Sequence, residues 1–300
     1  VAGRDVLLAI DRMVAAGQMG VLLELLGQAD SGQSAARAIS DRIATPDQLR
    51  RLLEAHAPNA EHVEWMVHQL GIGAAEPLLD VLGTSPSRAT RRKMLGLLVP
   101  LGTALAPAVT VRLPGAPWYF QRNLLILLDR LGTWPADFSL APYAAHPDER
   151  VRREAVRMLL KRPTDREVVV TAALRDPDDQ IVRLALGAAL ETCPPAAIPV
   201  VARRVEQREL EGDVEVLAIR VLATSNAPRA LECLLGCVTS GGGWFGGQRL
   251  APRSPRLLAA LNALAAHWPS EPRVVSVLSR AARHADVTVR SAVAAWPGRP

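Results

Sequence analysis

The feature that most constrains this chain is a step of about thirty residues that recurs through its middle. HPDERVRREAVRMLLKRPTDREVVVTAALR opens at His146 and is followed at once by DPDDQIVRLALGAALE, so that Pro147 and Pro177 lie 30 apart. The same step carries Val151 to Ile181, Ala155 to Ala185, Met158 to Ala188 and Leu159 to Ala189. Within one copy, Ile181, Leu184, Ala185, Ala188 and Ala189 keep the i, i+3, i+4, i+7, i+8 spacing that lays apolar groups along one stripe of an α-helix. Asp176 reads as the N-cap of that helix, with Pro177 at its first position, Asp179 near the positive end of its dipole and Glu191 at its end. In the preceding copy Pro163 stops the equivalent helix, and Thr164 with Glu167 spells a capping box for a second, antiparallel one. The repeating unit is a helical hairpin.

The register extends backwards. Pro117 precedes Pro147 by 30 residues and Pro86 precedes Pro117 by 31, while Gly71, Gly102 and Gly132 punctuate the ends of the first helices. Met94, Leu125, Ala155 and Ala185 form one column, and Leu97, Leu128, Met158 and Ala188 another, as stacked hairpins sharing a core require. Ankyrin and tetratricopeptide units have a similar length. There is no TPLH-type turn for the first, and Trp65 to Gly71 has the wrong spacing for the second.

The Asp-Pro-Asp-x-x-Val-Arg-x-x-Ala pattern, carried by Asp176 to Ala185 with copies at His146 to Ala155 and His284 to Ala292, resembles the short bacterial HEAT-like repeats of the armadillo-type superhelix family. The resemblance covers Asn59 to Trp296 and implies an all-α fold, an α-α superhelix of eight to ten HEAT-like hairpins. It also implies a scaffold that grips a partner along a curved surface. On this reading the chain is a single solenoid over 1–300: divergent N-terminal hairpins in 1–58, regular repeats in 59–238, a glycine-rich inserted loop in 239–252 and C-terminal repeats in 253–300. The chain opens on Val1, not Met, as a piece of a longer chain does.

Composition agrees with helix and narrows the chemistry. Hydrophobic residues make up 49% and aromatics only 4%, and no alternating Val, Ile and Thr runs stand between turns as strands would. The net charge of +5 rests on 35 basic residues of which only Lys93 and Lys161 are lysine, an arginine bias with the look of a GC-rich genome rather than of a nucleic-acid footprint. Cys193, Cys233 and Cys237 form neither a disulfide framework nor a paired zinc motif, and fit buried packing in a reducing cytoplasm. Residues 94–111 carry no charge, but Pro100, Gly102 and Pro107 divide them into two short buried helices instead of a membrane span.

Four candidate sites remain. Glu61 to Leu70 carries His62, Trp65 and His68 with Glu64, but no His-Glu-x-x-His arrangement, and the His-Glu dipeptides that HEAT-type hydroxylases use are absent, so no metal is expected. Arg92, Arg153 and Arg183 share a column, with Arg122 off by one residue; this basic ladder is read as structural, each arginine pairing with an acidic residue of a neighbouring loop such as Asp148 or Asp178. Thr239 to Pro252 sets Trp244 and Phe245 among glycines, where they either fold back over the exposed end of a helix pair or, with Arg249, Arg253 and Arg256 beside them, present the aromatic-plus-arginine composition of an interface anchor. The glycines Gly241, Gly243 and Gly246 follow a helical pattern, not a strand, and so do not make a dinucleotide site.

No catalytic constellation and no cofactor motif stands in the sequence. The expectation is a non-enzymatic scaffold that binds a protein partner through a concave face or the Trp244 loop. The alternatives are nucleic-acid binding, for which a HEAT-type glycosylase would draw on Trp65, Trp118 and Asp129, and a HEAT-type lyase.

Overall fold

The computed structural model describes residues 4–28, 34–55, 59–240 and 249–298. Their regular structure is almost wholly helix, and the chain divides into two compact units, Val1–Ser139 and Leu140–Pro300.

The first unit holds α1 (Arg4–Ala15), α2 (Met19–Gln28), α3 (Ser34–Ile43), α4 (Pro46–Glu54), α5 (Ala60–Leu70), α6 (Ala75–Thr84), α7 (Arg88–Leu98), α8 (Ala106–Val111) and α9 (Trp118–Leu131). Arg42 of α3 forks onto Asp11 of α1 at 3.0 and 2.8 Å, and Ile10, Leu22 and Ile43 bury a small cluster behind that pair. Between α7 and α8 the uncharged stretch turns through 112°. Gly102 makes the turn at φ 80°, a conformation that a side chain resists, and no single helix among the described residues is long and apolar enough to cross a membrane. Gly132 ends α9 in the left-handed conformation.

The second unit holds α10 (Ala141–Ala144), α11 (Glu149–Leu160), α12 (Arg166–Ala173), α13 (Asp179–Glu191), α14 (Ala197–Glu206), α15 (Gly212–Ala223) and α16 (Pro228–Val238). A two-stranded antiparallel ribbon, β1 (Thr239–Ser240) with β2 (Arg249–Leu250), follows, and then α17 (Pro255–His267), α18 (Pro272–Ala282) and α19 (Val287–Ala292). Alternate helices stack: α11, α13, α15, α17 and α19 form one layer, and α12, α14 and α16 the other. The ribbon then intervenes, β1 packing on α16 and β2 on α18. One apolar core runs through this unit from Val156 to Trp296. One column read from the sequence is buried in both units, at Met94, Leu125, Ala155 and Ala185; in the other, Leu128 and Met158 are buried while Leu97 and Ala188 are half-buried. On α13 the buried face is rotated from the one its spacing suggests: Val182 and Leu186 are buried with Ile181, Ala185 and Ala189, while Leu184 and Ala188 are half-buried.

Four of the turns that start the first helix of a hairpin share one construction. A side chain accepts the N–H two residues on, and that next residue caps the helix. Ser85 accepts Ser87 N–H at 3.3 Å, His146 Nδ1 accepts Asp148 N–H at 3.0 Å, Asp176 accepts Asp178 N–H at 2.8 Å and His284 Nδ1 accepts Asp286 N–H at 3.1 Å. Ser87, Asp148, Asp178 and Asp286 are then the N-caps. This corrects two sequence expectations. Asp176 does not cap α13, because its carboxylate is occupied one step earlier, closing the turn; Asp178 caps it by accepting Ile181 N–H at 3.0 Å. The Thr164 and Glu167 capping box does not form either, since the N-cap of α12 is Asp165, which already has helical dihedrals and makes no side-chain cap.

The residue four beyond the cap finishes the turn. Arg91, Arg152 and Arg290 each send Nη1 back to two carbonyls of their own turn, at 2.7 to 3.0 Å. Gln121 stands at the same position after Pro117, the N-cap of α9, and donates to Leu113 O at 3.0 Å. Where Val182 occupies the position, Arg204 reaches over from α14 to the carbonyls of Leu174 and Asp176. His146 therefore serves as a turn acceptor, a role that a carboxylate fills at Asp176. His146→Asp is expected to keep the stability of the chain to within about 0.5 kcal/mol, whereas His146→Ala loses about 1 kcal/mol, measured by urea unfolding.

Candidate functional site

Counting from the N-caps resolves the basic ladder. Arg92, Arg122, Arg153 and Arg183 all lie five residues beyond their caps, Ser87, Pro117, Asp148 and Asp178, so Arg122 is in register after all. The offset in the sequence arose because Pro117 is itself a cap, while Pro86, Pro147 and Pro177 each precede one.

In the second unit the ladder binds helix to helix. Arg153 of α11 forks onto Asp178, the cap of α13, at 2.8 and 2.5 Å. Arg183 of α13 forks onto Asp213 in the first turn of α15, with one contact at 2.8 Å. Arg152 adds a fork onto Asp176 at 2.9 Å on both arms, with both side chains largely buried. The Arg153 guanidinium holds the Asp178 carboxyl below the usual carboxylate range; burial opposes this and the Ile181 N–H reinforces it. Bidentate, part-buried pairs of this kind are the strong form of the interaction.

Asp178→Asn isolates that pair, because the amide oxygen still caps α13. The native pKa lies below the unfolded one, so the unfolded state takes up protons first as the pH falls. The stabilisation is present in full above the ordinary carboxylate range and is lost as pH falls through the native value. The variant is expected to be about 1 kcal/mol less stable than the parent near neutrality, the gap narrowing below about pH 4, in urea unfolding at the two pH values.

The first unit uses the same position differently. The cap that would receive Arg92 is Pro117, which offers no carboxylate, and α9 continues with Trp118, Tyr119 and Phe120. Arg92 is exposed and finds no acceptor among the described residues, and the same holds for Arg88, exposed, and Lys93, half-buried. Phe120 packs against Gly83, at the end of α6, so the first turn of α9 lies beside the turn that leads into α7. Trp118 is 38% exposed there, with the Tyr119 ring perpendicular to it at 5.9 Å.

The glycine-rich site is only partly described. Trp244 and Phe245, with Gly241, Gly243 and Gly246, lie outside the described residues. Arg249 is exposed on β2, and Arg253 pairs with Asp286, the cap of α19, at 3.4 Å. Arg256 is not presented to a partner. Its side chain is 11% exposed, and Nη1 donates to Glu215 Oε1 at 2.5 Å and to Val205 O at 2.8 Å. Beside it Cys233 and Cys237, one turn apart on α16, are buried free thiols; Cys233 donates to Ala202 O at 3.6 Å. The Cys233 contact and Arg256 hold the Cys237 thiol below its ordinary value, while Cys233 is pushed up by Cys237 and by burial. The ribbon leaves a cleft of about 520 Å³ between α16 and α18, bridged by Glu232 and Arg273 at 2.6 and 3.0 Å.

The remaining candidates separate. His62 packs against Gly20 while Glu64 and His68 are exposed, and among the described residues no three His, Cys, Asp or Glu side chains form a metal-sized group. Trp65 lines the cluster around Ile10, Leu22 and Ile43, and Trp118 and Asp129 stand eleven residues apart on α9, about 16 Å along its axis, so the three do not converge.

Sequence reading missed the distribution of charge. Residues 81–136 hold seven basic residues and one acidic residue, Asp129, an excess of six against a net charge of +5 for the whole chain. A running charge count finds it directly. No family model and no curated protein matches the chain.

Proposed function

We propose that this chain is a HEAT-like α-solenoid acting as a non-enzymatic interaction scaffold that grips a protein partner along its helix faces. The observation that carries the reading is the use of polar side chains in the second unit. Arg152, Arg153, Arg183, Arg204 and Arg256 are each engaged in holding one helix or turn to another. A ladder engaged in this way cannot also track phosphates, which argues against the nucleic-acid alternative. What the layers leave to solvent is a succession of helix ends and faces, the material of repeat-protein binding surfaces.

The test is capture from nuclease-treated lysate of the source organism, followed by reconstitution of the captured protein with the purified chain. A defined complex at fixed stoichiometry in size-exclusion chromatography with light scattering is the expected result. Loss of that complex in a Trp244→Ala/Phe245→Ala variant assigns the anchor to the glycine-rich loop, and its retention assigns it to the helix faces. Binding that vanishes with nuclease treatment overturns the scaffold in favour of nucleic acid.

A further inference from the structure

The break in the arginine ladder points to a site. Arg153 and Arg183 show what the residue five beyond the cap does when the next helix opens on an acidic residue: it becomes a cross-repeat fork. At α7 the corresponding cap of the next first helix is Pro117, followed by Trp118, and Arg92 is left exposed. Arg88 lies one turn before Arg92 on the same face, and Lys93 follows it. Cations in the first turns of a helix oppose its dipole, so three of them with no internal acceptor stand where local stability disfavours them. Neither α7 nor α8 carries an acidic residue, and the only one on α9 is Asp129, near its far end. By the same register the partly exposed Trp118 opens α9, the helix toward which the ladder position of α7 is directed and against which α7 packs.

We infer that Arg88, Arg92, Lys93 and Trp118 form a docking site for an acidic segment of a protein partner, its carboxylates replacing the carboxylate missing at Pro117 and an apolar side chain resting on Trp118. This deepens the scaffold reading and rests on it. Charge complementarity selects an acidic occupant, and an arginine pair beside tryptophan is the composition in which interface energy concentrates. Size selects protein over nucleic acid. The three cations span about 8 Å of helix, the reach of one or two carboxylates and short of the phosphate tracks on which nucleic-acid affinity depends.

The test measures fluorescence anisotropy of a labelled 20-residue peptide of glutamates interrupted by phenylalanine, against an all-glutamate peptide and a single-stranded 20-nucleotide DNA, at physiological salt. The proteins are the full chain, Arg88→Glu/Arg92→Glu, Pro117→Asp, and Arg130→Glu as a charge control at the other end of α9, each checked for an unchanged melting transition. The expected result is saturable binding of the phenylalanine-bearing peptide, weakened about tenfold or more by the double reversal and weakened also by Pro117→Asp, which supplies the missing carboxylate in place; Arg130→Glu shifts it less than twofold. The all-glutamate peptide binds more weakly.

Equal loss in Arg130→Glu reduces the effect to net charge and overturns the site, as does the absence of binding at 100 µM peptide, a ceiling typical of weak encounters at about 10⁻⁴ M. DNA that binds more tightly than the peptide and depends on the same arginines assigns the patch to nucleic acid and overturns the proposal. The captured complex separates the two levels of inference. If the Arg88→Glu/Arg92→Glu chain still forms it, the docking site falls while the scaffold stands; if the parent chain forms none, the scaffold itself falls.

Discussion

The repeated hairpin turns face one problem of backbone chemistry: a helix that starts in a tight turn leaves N–H groups ahead of it and carbonyls behind it unsatisfied. The solution is a three-residue lock read by position. An acceptor side chain takes the N–H of the cap, the cap takes an N–H of the first helical turn, and the residue four beyond returns a donor to the turn's carbonyls. His146, Asp148 and Arg152 carry it out in one turn and His284, Asp286 and Arg290 in another. Ser85, Ser87 and Arg91 do so in the first unit. In these three turns the lock fixes where the helix starts, and therefore which side chain stands five residues beyond the cap.

That fifth position is where structure passes into function. In the second unit it fastens α11 to α13 and α13 to α15, and the arginines that look like a phosphate track become part of the frame. In the first unit the same backbone geometry delivers Arg92 to the same place, but the receiving cap is Pro117. A proline in place of an acidic cap thus leaves Arg92 without the carboxylate that makes Arg153 a fastener. No new element is needed, only the removal of an acceptor.

Much of the helical order was legible from periodicity, because a repeat imposes the same burial on each copy: the column from Met94 to Ala185 is buried throughout, and Ser254 caps α17 as its Ser-Pro signature implies. The errors lie in the turns. Asp176 and Asp178 are both competent caps, and only the three-dimensional turn reveals that the first is taken by the N–H of the second. Arg122 was displaced by aligning prolines, since proline occupies two different positions of the turn. Arg256 was read as a surface residue because nothing local marks Glu215, 41 residues away, as its partner. The candidate surface at α7 was hidden for a different reason. Its signal is a missing carboxylate at Pro117, and an absence becomes visible only once the register is known.

Pro117 occupies the cap position that Asp178 fills in the second unit, so that Arg92 lacks only an acceptor. A double-mutant cycle tests it most directly, comparing the urea unfolding free energies of the parent chain, Pro117→Asp, Arg92→Ala and the combination. The aspartate is expected to stabilise the first unit more when Arg92 is present than when it is absent, by a coupling of about 0.5 to 1 kcal/mol that weakens with salt. A coupling indistinguishable from zero, with Pro117→Asp acting equally in both backgrounds, would contradict it.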